Sequence, residues 1–337
     1  MNHQATANYL RYRLPEATGL QVVNQERVFP GISRETWLVD VEFEREGATQ
    51  HRGFVFRLDT PGGSIVPLPL SYEYDVYKRL QGTDVRIAAA YWYERDERWL
   101  MDGREFYVRE KIEGVLDIPH LGDAAYRDLH ITMAKEHAEQ MARIHLLDWR
   151  SHGFAEMADL YPEWLIPESD SDCARLDLEL WENIFYAVQP EPYPAMTYAL
   201  GWLKEHCPSN SPGIRLVKGN NAMSEEIWQG TKIVAMSDWE LTHLGDVTED
   251  WAWAAQQGIE QLWDLESILD HYKAFSGITI DRENLAYFRV FVPFKAFTCL
   301  QAGSRMFING KDRRVALGGL AFLSHTFLEG IAAATGL

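Results

Sequence analysis

Two short stretches in the second half of the chain concentrate the residues able to do chemistry. One is Arg215-Leu-Val-Lys-Gly-Asn-Asn-Ala-Met-Ser-Glu-Glu-Ile-Trp228. The other is Ile233-Val-Ala-Met-Ser-Asp-Trp-Glu-Leu-Thr-His-Leu-Gly-Asp-Val-Thr-Glu-Asp-Trp-Ala252. Each sets polar groups just after an apolar run: Lys218, Asn220 and Glu225 in the first, Asp238 in the second. Carboxylate and amide oxygens are the hard ligands that Mg²⁺ takes. A lysine can reach a phosphate, and an amide can hold a hydroxyl by hydrogen bond but cannot accept its proton. Plain structural readings stand beside these. Lys218-Gly-Asn-Asn221 reads equally as a polar turn, and Asp238 as a turn residue closing a strand.

The first half offers a second group. Val55 and Arg57 share one strand face because side chains alternate. Arg57 could pair with Glu73 and meet phosphates, or the two form only a structural ion pair. Tyr107 and Arg109 share a strand face by the same alternation. A buried guanidinium needs an anionic partner, for which Glu73, a phosphate or a carboxylate would serve; a strand shifted by one residue would leave Arg109 solvated instead. The loop Pro30-Gly-Ile-Ser-Arg-Glu-Thr36 holds Gly31 but no glycine-rich repeat. Ser33 and backbone N–H groups there could cradle a phosphate. His145, His243 and His325 lack metal-ligand spacing with Cys or another His and read as core or surface histidines.

The elements that position these residues follow from pattern. Thr36–Phe43 alternates apolar and polar residues, and with Gly53–Leu58 it predicts a hairpin. Tyr72–Gln81 reads as a helix capped by Ser71 and stopped by Gly82. Tyr91–Tyr93 and Glu105–Ile112 read as strands, with a turn at Glu113-Gly114. From about residue 120 the pattern becomes helical: a long helix over about Ala124–Leu147, then Leu176–Val188 and Met196–His206. A β island at Ile214–Val217, Glu226–Trp228 and Lys232–Met236 interrupts the helices, which resume at Glu249. Strands first and helices after make an α+β protein.

Composition bounds the function. The 337 residues are 46% hydrophobic and 24% charged, enough for a large core. The net charge of −18 repels polyanions and argues against nucleic-acid binding. A cationic or neutral substrate is compatible with it, and solubility is its plainest meaning. Cys173, Cys207 and Cys299 are isolated, which fits a reducing cytoplasm and no disulfide framework. The first residues lack the apolar run of a signal peptide. No run of ~18 apolar residues exists, so no transmembrane helix and no membrane partner are expected. The sequence sets no oligomeric state.

The two chemical stretches together resemble the catalytic core of the aminoglycoside phosphotransferase and choline kinase-like family. That family's pattern is a strand, H-G-D-x-x-x-x-N, a hairpin, then D-W-E and G-D-x-x-x-D-x-A. Ser237-Asp-Trp-Glu-Leu241 and His243-Leu-Gly-Asp246 look most like the branch found alone in bacteria or fused to acyl-CoA dehydrogenases. The resemblance implies a bilobal, protein kinase-like fold, with a β-rich nucleotide-binding lobe over residues 1–112 and a helical lobe over 113–337. It implies ATP and Mg²⁺ as cofactors and a small hydroxylated acceptor in the cleft. By position it assigns Asp238 and Glu225 to the metal. Asn220 falls at the catalytic aspartate and Lys218 at a loop-bracing histidine. Ser33, Val55, Arg57, Glu73, Arg109, Glu110 and Ile112 fall around the nucleotide. Asp250 falls at an aspartate that braces the catalytic loop.

The departures cluster. Lys218, Asn220 and Glu225 replace His, Asp and Asn, and Arg109 replaces Met or another apolar residue beside the adenine pocket. Loss of a general base typically costs about 10²–10⁴ in rate. Three functions remain open: an ATP-dependent phosphotransferase acting on a small-molecule hydroxyl; a pseudokinase that binds a small molecule or nucleotide without phosphoryl transfer; and a different reaction in the same cleft. If the loop is rebuilt, Lys218 is expected within ion-pair reach of Asp238 or Glu225, in the place of the metal. The acyl-CoA dehydrogenase link points to fatty-acid, sterol or aromatic catabolism by association only.

Overall fold

A computed structural model of the chain describes residues 1–29, 31–189 and 191–336. Pro30, the first residue of the expected phosphate loop, lies outside the described residues. The N-terminal part runs α1 (His3–Arg13), β1 (Thr18–Val28), β2 (Arg34–Arg45), β3 (Ala48–Asp59), α2 (Leu70–Leu80), β4 (Ala90–Glu94) and β5 (Phe106–Glu110). The strands form one antiparallel sheet in the order β1-β2-β3-β5-β4. Alternation decides what each face does. Phe54, Phe56 and Leu58 of β3, with Phe106 and Val108 of β5, pack under Tyr9, Leu10 and Leu14 of α1 and its following turn. Directly opposed antiparallel residues share a face. Val55↔Arg109 and Arg57↔Tyr107 therefore point together to the other side, where Tyr107 packs on Tyr74 and Tyr77 of α2.

The remainder is helical around one β island: α3 (Arg127–His145), α4 (Met157–Leu160), α5 (Asp172–Val188), α6 (Pro194–Glu205), β6 (Arg215–Val217), β7 (Glu226–Gln229), β8 (Lys232–Met236), β9 (His243–Gly245), α7 (Thr248–Gln256), α8 (Leu265–Ser276), α9 (Arg282–Ile308) and α10 (Val315–Thr335). The β7–β8 hairpin and the β6–β9 pair frame the two chemical stretches. The large core joins α3, α5, α7 and α9 through Met133, Ala138, Met141, Phe185, Trp251, Phe291 and Phe294. The fold is α+β, a small antiparallel sheet followed by a helical body.

The expected elements are present with shifted ends. The helix expected from Ala124 begins as a 3₁₀ turn, where the Asp123 carboxylate accepts from Ala125 N, and becomes α-helical at Arg127. Ser71 is not the cap of α2. The chain enters the helix from an extended Pro69, and Ser71 is buried in the first turn. β9 was not expected; three residues carry too little pattern. α10 is one helix long and apolar enough, by length and composition, to cross a membrane, unlike the sequence expectation. In the fold it lies along α9, with Leu317, Leu320 and Ile331 buried and Val315 and Phe322 exposed.

Candidate functional site

The loop after β6 is held from below by Asp250 in the first turn of α7. Its two carboxylate oxygens accept from the backbone N–H groups of Lys218 (2.8 Å) and Gly219 (2.9 Å). These are the backbone bonds that the family resemblance implies for Asp250. His145 supports it from α3. One ring nitrogen lies 3.0 Å from Asp250 Oδ2 and the other 2.7 Å from the Tyr272 hydroxyl. Burial holds His145 below the ordinary imidazole range despite Asp250. Gly219 adopts φ +80°, and a Cβ there would meet the Leu241 carbonyl oxygen at 2.2 Å. Only glycine fits this turn.

Within the loop the polar groups satisfy one another. Lys218 is fully buried. Its ammonium donates to the Asn220 carbonyl and, at 3.3 Å, to the Asp238 carbonyl, and it lies 5.6 Å from the centre of the Trp239 ring. Among the described residues it makes no ion pair with the carboxylate of Asp238 or Glu225. The expected ion pair is therefore replaced by bonds to backbone oxygens, because the short loop turns its carbonyls inward. The group on the Asp238 carboxylate is Asn220, whose Nδ2 donates to Asp238 Oδ2 at 2.6 Å. Asp238 sits at φ +61°, a conformation costly for a non-glycine residue. Its Oδ1 is buried without a hydrogen bond among the described residues. Glu225 accepts through its backbone oxygen from Ser237 N (2.8 Å) and Ser237 Oγ (2.9 Å). Burial, and then the nearby Asp238, push its carboxyl up to about 7, against the pull of Lys218 and Arg57.

The sheet supplies the opposite wall. Arg57 Nη2 lies 3.4 Å from Glu73 Oε1, 3.8 Å from Asp238 Oδ1 and 3.8 Å from Glu240 Oε2. Glu73 of α2 and Asp238 thus converge on one guanidinium across the cleft. Arg34 was missed in the sequence. It is fully buried, with Nε 2.9 Å from Glu240 Oε2 and Nη1 3.1 Å from Asp59. Glu240 was seen only as part of a motif, and a partner 206 residues away leaves no local signal.

Val55 is buried opposite Arg109. Arg109 does not reach Glu73. Its guanidinium carbon lies 5.6 Å from the centre of the Tyr77 ring, and no ion pair or hydrogen bond engages it among the described residues. Glu110 is tied to Ala89, its N–H donating to the Ala89 carbonyl at 2.8 Å. Ile112 follows half-buried in the connector. The Ser33 loop is strapped from the far end of the chain: Arg314 donates to the carbonyls of Gly31 (3.1 Å) and Ile32 (3.3 Å).

A second buried polar cluster was not foreseen. Asp177, His243 and Glu249 bring ligand-type atoms within 4.8 Å of one another. The ammonium of Lys295 already occupies them, at 2.6 Å from Asp177 and 2.7 Å from Glu249. A lone lysine in the apolar run Val290–Phe297 was the available signal.

The comparisons with known proteins agree with this geometry. The chain is 25% identical over 204 residues to acyl-CoA dehydrogenase family member 11 of Gallus gallus, covering 58% of this chain and 24% of that protein. It is 23% identical over 205 residues to family member 10 of Mus musculus, covering 58% of this chain and 17% of that protein. The chain therefore spans a quarter or less of these relatives. Among solved structures, a proposed aminoglycoside phosphotransferase of Ralstonia eutropha superposes with TM-score 0.67 at 20% identity, covering 99% and 98% of the two chains. Aminoglycoside 2'-phosphotransferase-IIIa, solved with GDP, superposes with TM-score 0.62 at 15% identity, covering 99% and 100%. A thermostable APH(4)-Ia in ternary complex with ADP and hygromycin B gives TM-score 0.60 at 14% identity, covering 98% of each chain. These likenesses show a kinase-like fold, and a family model matching residues 30–288 shows that the chain belongs to the phosphotransferase enzyme family.

Proposed function

We propose that this chain is a small-molecule-binding pseudokinase of the phosphotransferase family, which holds its ligand in the cleft between lobes 1–112 and 113–337 without phosphoryl transfer from Mg²⁺-ATP. The observation that carries this reading is the 2.6 Å hydrogen bond from Asn220 Nδ2 to Asp238 Oδ2. The carboxylate that would hold the metal is engaged by an amide N–H, and a buried ammonium rests on the carbonyl of the same residue. Phosphoryl transfer needs metal held on phosphate and a group orienting the nucleophile. An amide N–H on one oxygen of Asp238 and a buried ammonium on its carbonyl compete with a divalent cation for this residue, leaving only Asp238 Oδ1 without a hydrogen bond among the described residues. Small-molecule complexes of the neighbours, with hygromycin B in one and spectinomycin in another, support a small ligand here. Three free cysteines support a reducing compartment such as the cytoplasm.

One set of observations favours the active reading, ATP-dependent phosphorylation of a small-molecule hydroxyl. The Arg57–Glu73 pair and the Asp250 brace are both in place. These contacts are scaffolding and are needed for either function. The deciding experiment is Mg²⁺-dependent ATP turnover by the unmodified protein, which is expected to stay at background. Sustained turnover would end the pseudokinase reading.

A further inference from the structure

We infer that Arg109 anchors an oxyanion, a carboxylate or a phosphate, carried by the small molecule that enters the cleft against β5. The inference deepens the pseudokinase reading, resting on it only in taking the cleft as a binding site.

Arg109 lies on the central part of the sheet, opposite Val55 on β3 and Ala90 on β4. It shares its face with Val55, Arg57 and Tyr107, the face that looks toward α2 and the Asp238 loop. The residue is only 9% exposed. Its Nε is buried without a hydrogen bond among the described residues. A guanidinium cannot shed its proton to escape burial, so the charge needs an anion. The nearby carboxylate, Glu73, is already shared by Arg57 at 3.4 Å and Arg34 at 3.9 Å. The ring of Tyr77 lies within cation–π reach, its centre 5.6 Å from the guanidinium carbon. The Tyr77 hydroxyl, also buried and without a hydrogen bond among the described residues, is a second donor. A guanidinium's planar fork matches the two oxygens of a carboxylate or phosphate. A neutral base stacked on the sheet would leave the same charge unpaired.

Thermal shift and calorimetry on the full chain, in buffer without phosphate or sulfate, test this with inorganic phosphate, sodium hexanoate, ATP without Mg²⁺, and adenosine. Phosphate or hexanoate should stabilise the unmodified protein saturably, and adenosine should not. A response to phosphate alone assigns a phosphate, and a response to hexanoate alone assigns a carboxylate. Arg109→Met should weaken the response at least about tenfold, the usual consequence of losing a charge-assisted hydrogen bond. Arg109→Lys keeps the charge without the fork and should weaken it several-fold. If the Met variant does not fold, the Lys variant decides alone. No saturable response to either anion overturns the inference, as does unchanged affinity in the folded variants or stabilisation by adenosine equal to that by ATP. ATP turnover measured on the same preparation bears on the pseudokinase reading alone. Turnover together with Arg109-dependent anion binding would remove that reading and keep this one; neither turnover nor anion binding would do the reverse.

Discussion

Asn220 and Asp238 lie 18 residues apart and meet through one hydrogen bond of 2.6 Å, amide nitrogen to carboxylate oxygen. The donor is neutral, and the nearest guanidinium nitrogen, Arg57 Nη2, stands 3.8 Å from the other carboxylate oxygen. Asn220→Asp would place two carboxylates at hydrogen-bond distance, where both cannot ionise unless a cation intervenes. The variant is expected to melt several degrees lower in metal-free buffer and to recover with millimolar Mg²⁺, while the unmodified protein ignores Mg²⁺. It should gain no ATP turnover while Lys218 remains. Identical melting of the variant with and without Mg²⁺ would contradict this account of the pair.

Lys218 makes a different prediction, because its partners are the backbone oxygens of Asn220 and Asp238. Lys218→Met keeps the length of the side chain and strands both carbonyls. A buried polar group left without a partner costs about 1–3 kcal/mol, so with two carbonyls urea unfolding should show a loss of about 2–6 kcal/mol. The loss should come with a wider Asp238 turn, since that residue is held at φ +61°. A loss near zero would mean that the ammonium does not hold the loop.

Much of this cleft was legible, and what was missed has physical causes. Alternation alone put Val55 with Arg57 and Tyr107 with Arg109, and the register confirms the shared face. The order of motifs placed Asp238 opposite Glu73, and both now meet Arg57. Arg34 and Glu240 were not paired in advance, because nothing local marks a contact across 206 residues. Lys218 was expected on a carboxylate and rests on carbonyls. Backbone acceptors are the same at every position, so a sequence cannot show where they turn. α1 was not named in advance, because its buried Thr6, Ala7, Tyr9 and Leu10 mix polar and apolar residues and mark no clear apolar face.

Asp246 gives a pH prediction. Burial pushes its carboxyl up to about 6, against hydrogen bonds from Thr248 N at 2.8 Å and Asn284 Nδ2 at 2.9 Å. The folded chain therefore holds this proton more tightly than the unfolded chain. Its stabilising contribution is full below the ordinary aspartate range and is lost as pH rises through about 6, by about 2–3 kcal/mol. Asp246→Asn carries no such proton. The stability of the variant relative to the unmodified protein should therefore rise between about pH 4 and pH 7. The altered bond to Asn284 adds an offset that does not vary with pH, so the slope is the readout. A flat difference across that range would refute the burial account.

Lys295 offers the most direct test of the helical body. Its ammonium is buried between Asp177 (2.6 Å) and Glu249 (2.7 Å), with the Trp181 ring 5.3 Å away. His243 Nε2 stands 3.5 Å from both acids. Burial alone would lower the lysine, and the two carboxylates more than reverse that, so it stays charged. Removing one member of a buried ion pair costs about 3–5 kcal/mol, mostly from the charge left behind. Lys295→Met should lose that amount or fail to accumulate as folded protein. The triple variant Lys295→Met, Asp177→Asn, Glu249→Gln removes the stranded charges together and should regain more than half of the loss. Recovery in the triple variant separates charge compensation from simple packing, which neutralising the acids would not repair. If Lys295→Met were as stable as the unmodified protein, the cluster would not depend on its lysine, and the three ligand-type side chains would have to be reconsidered as a cation site.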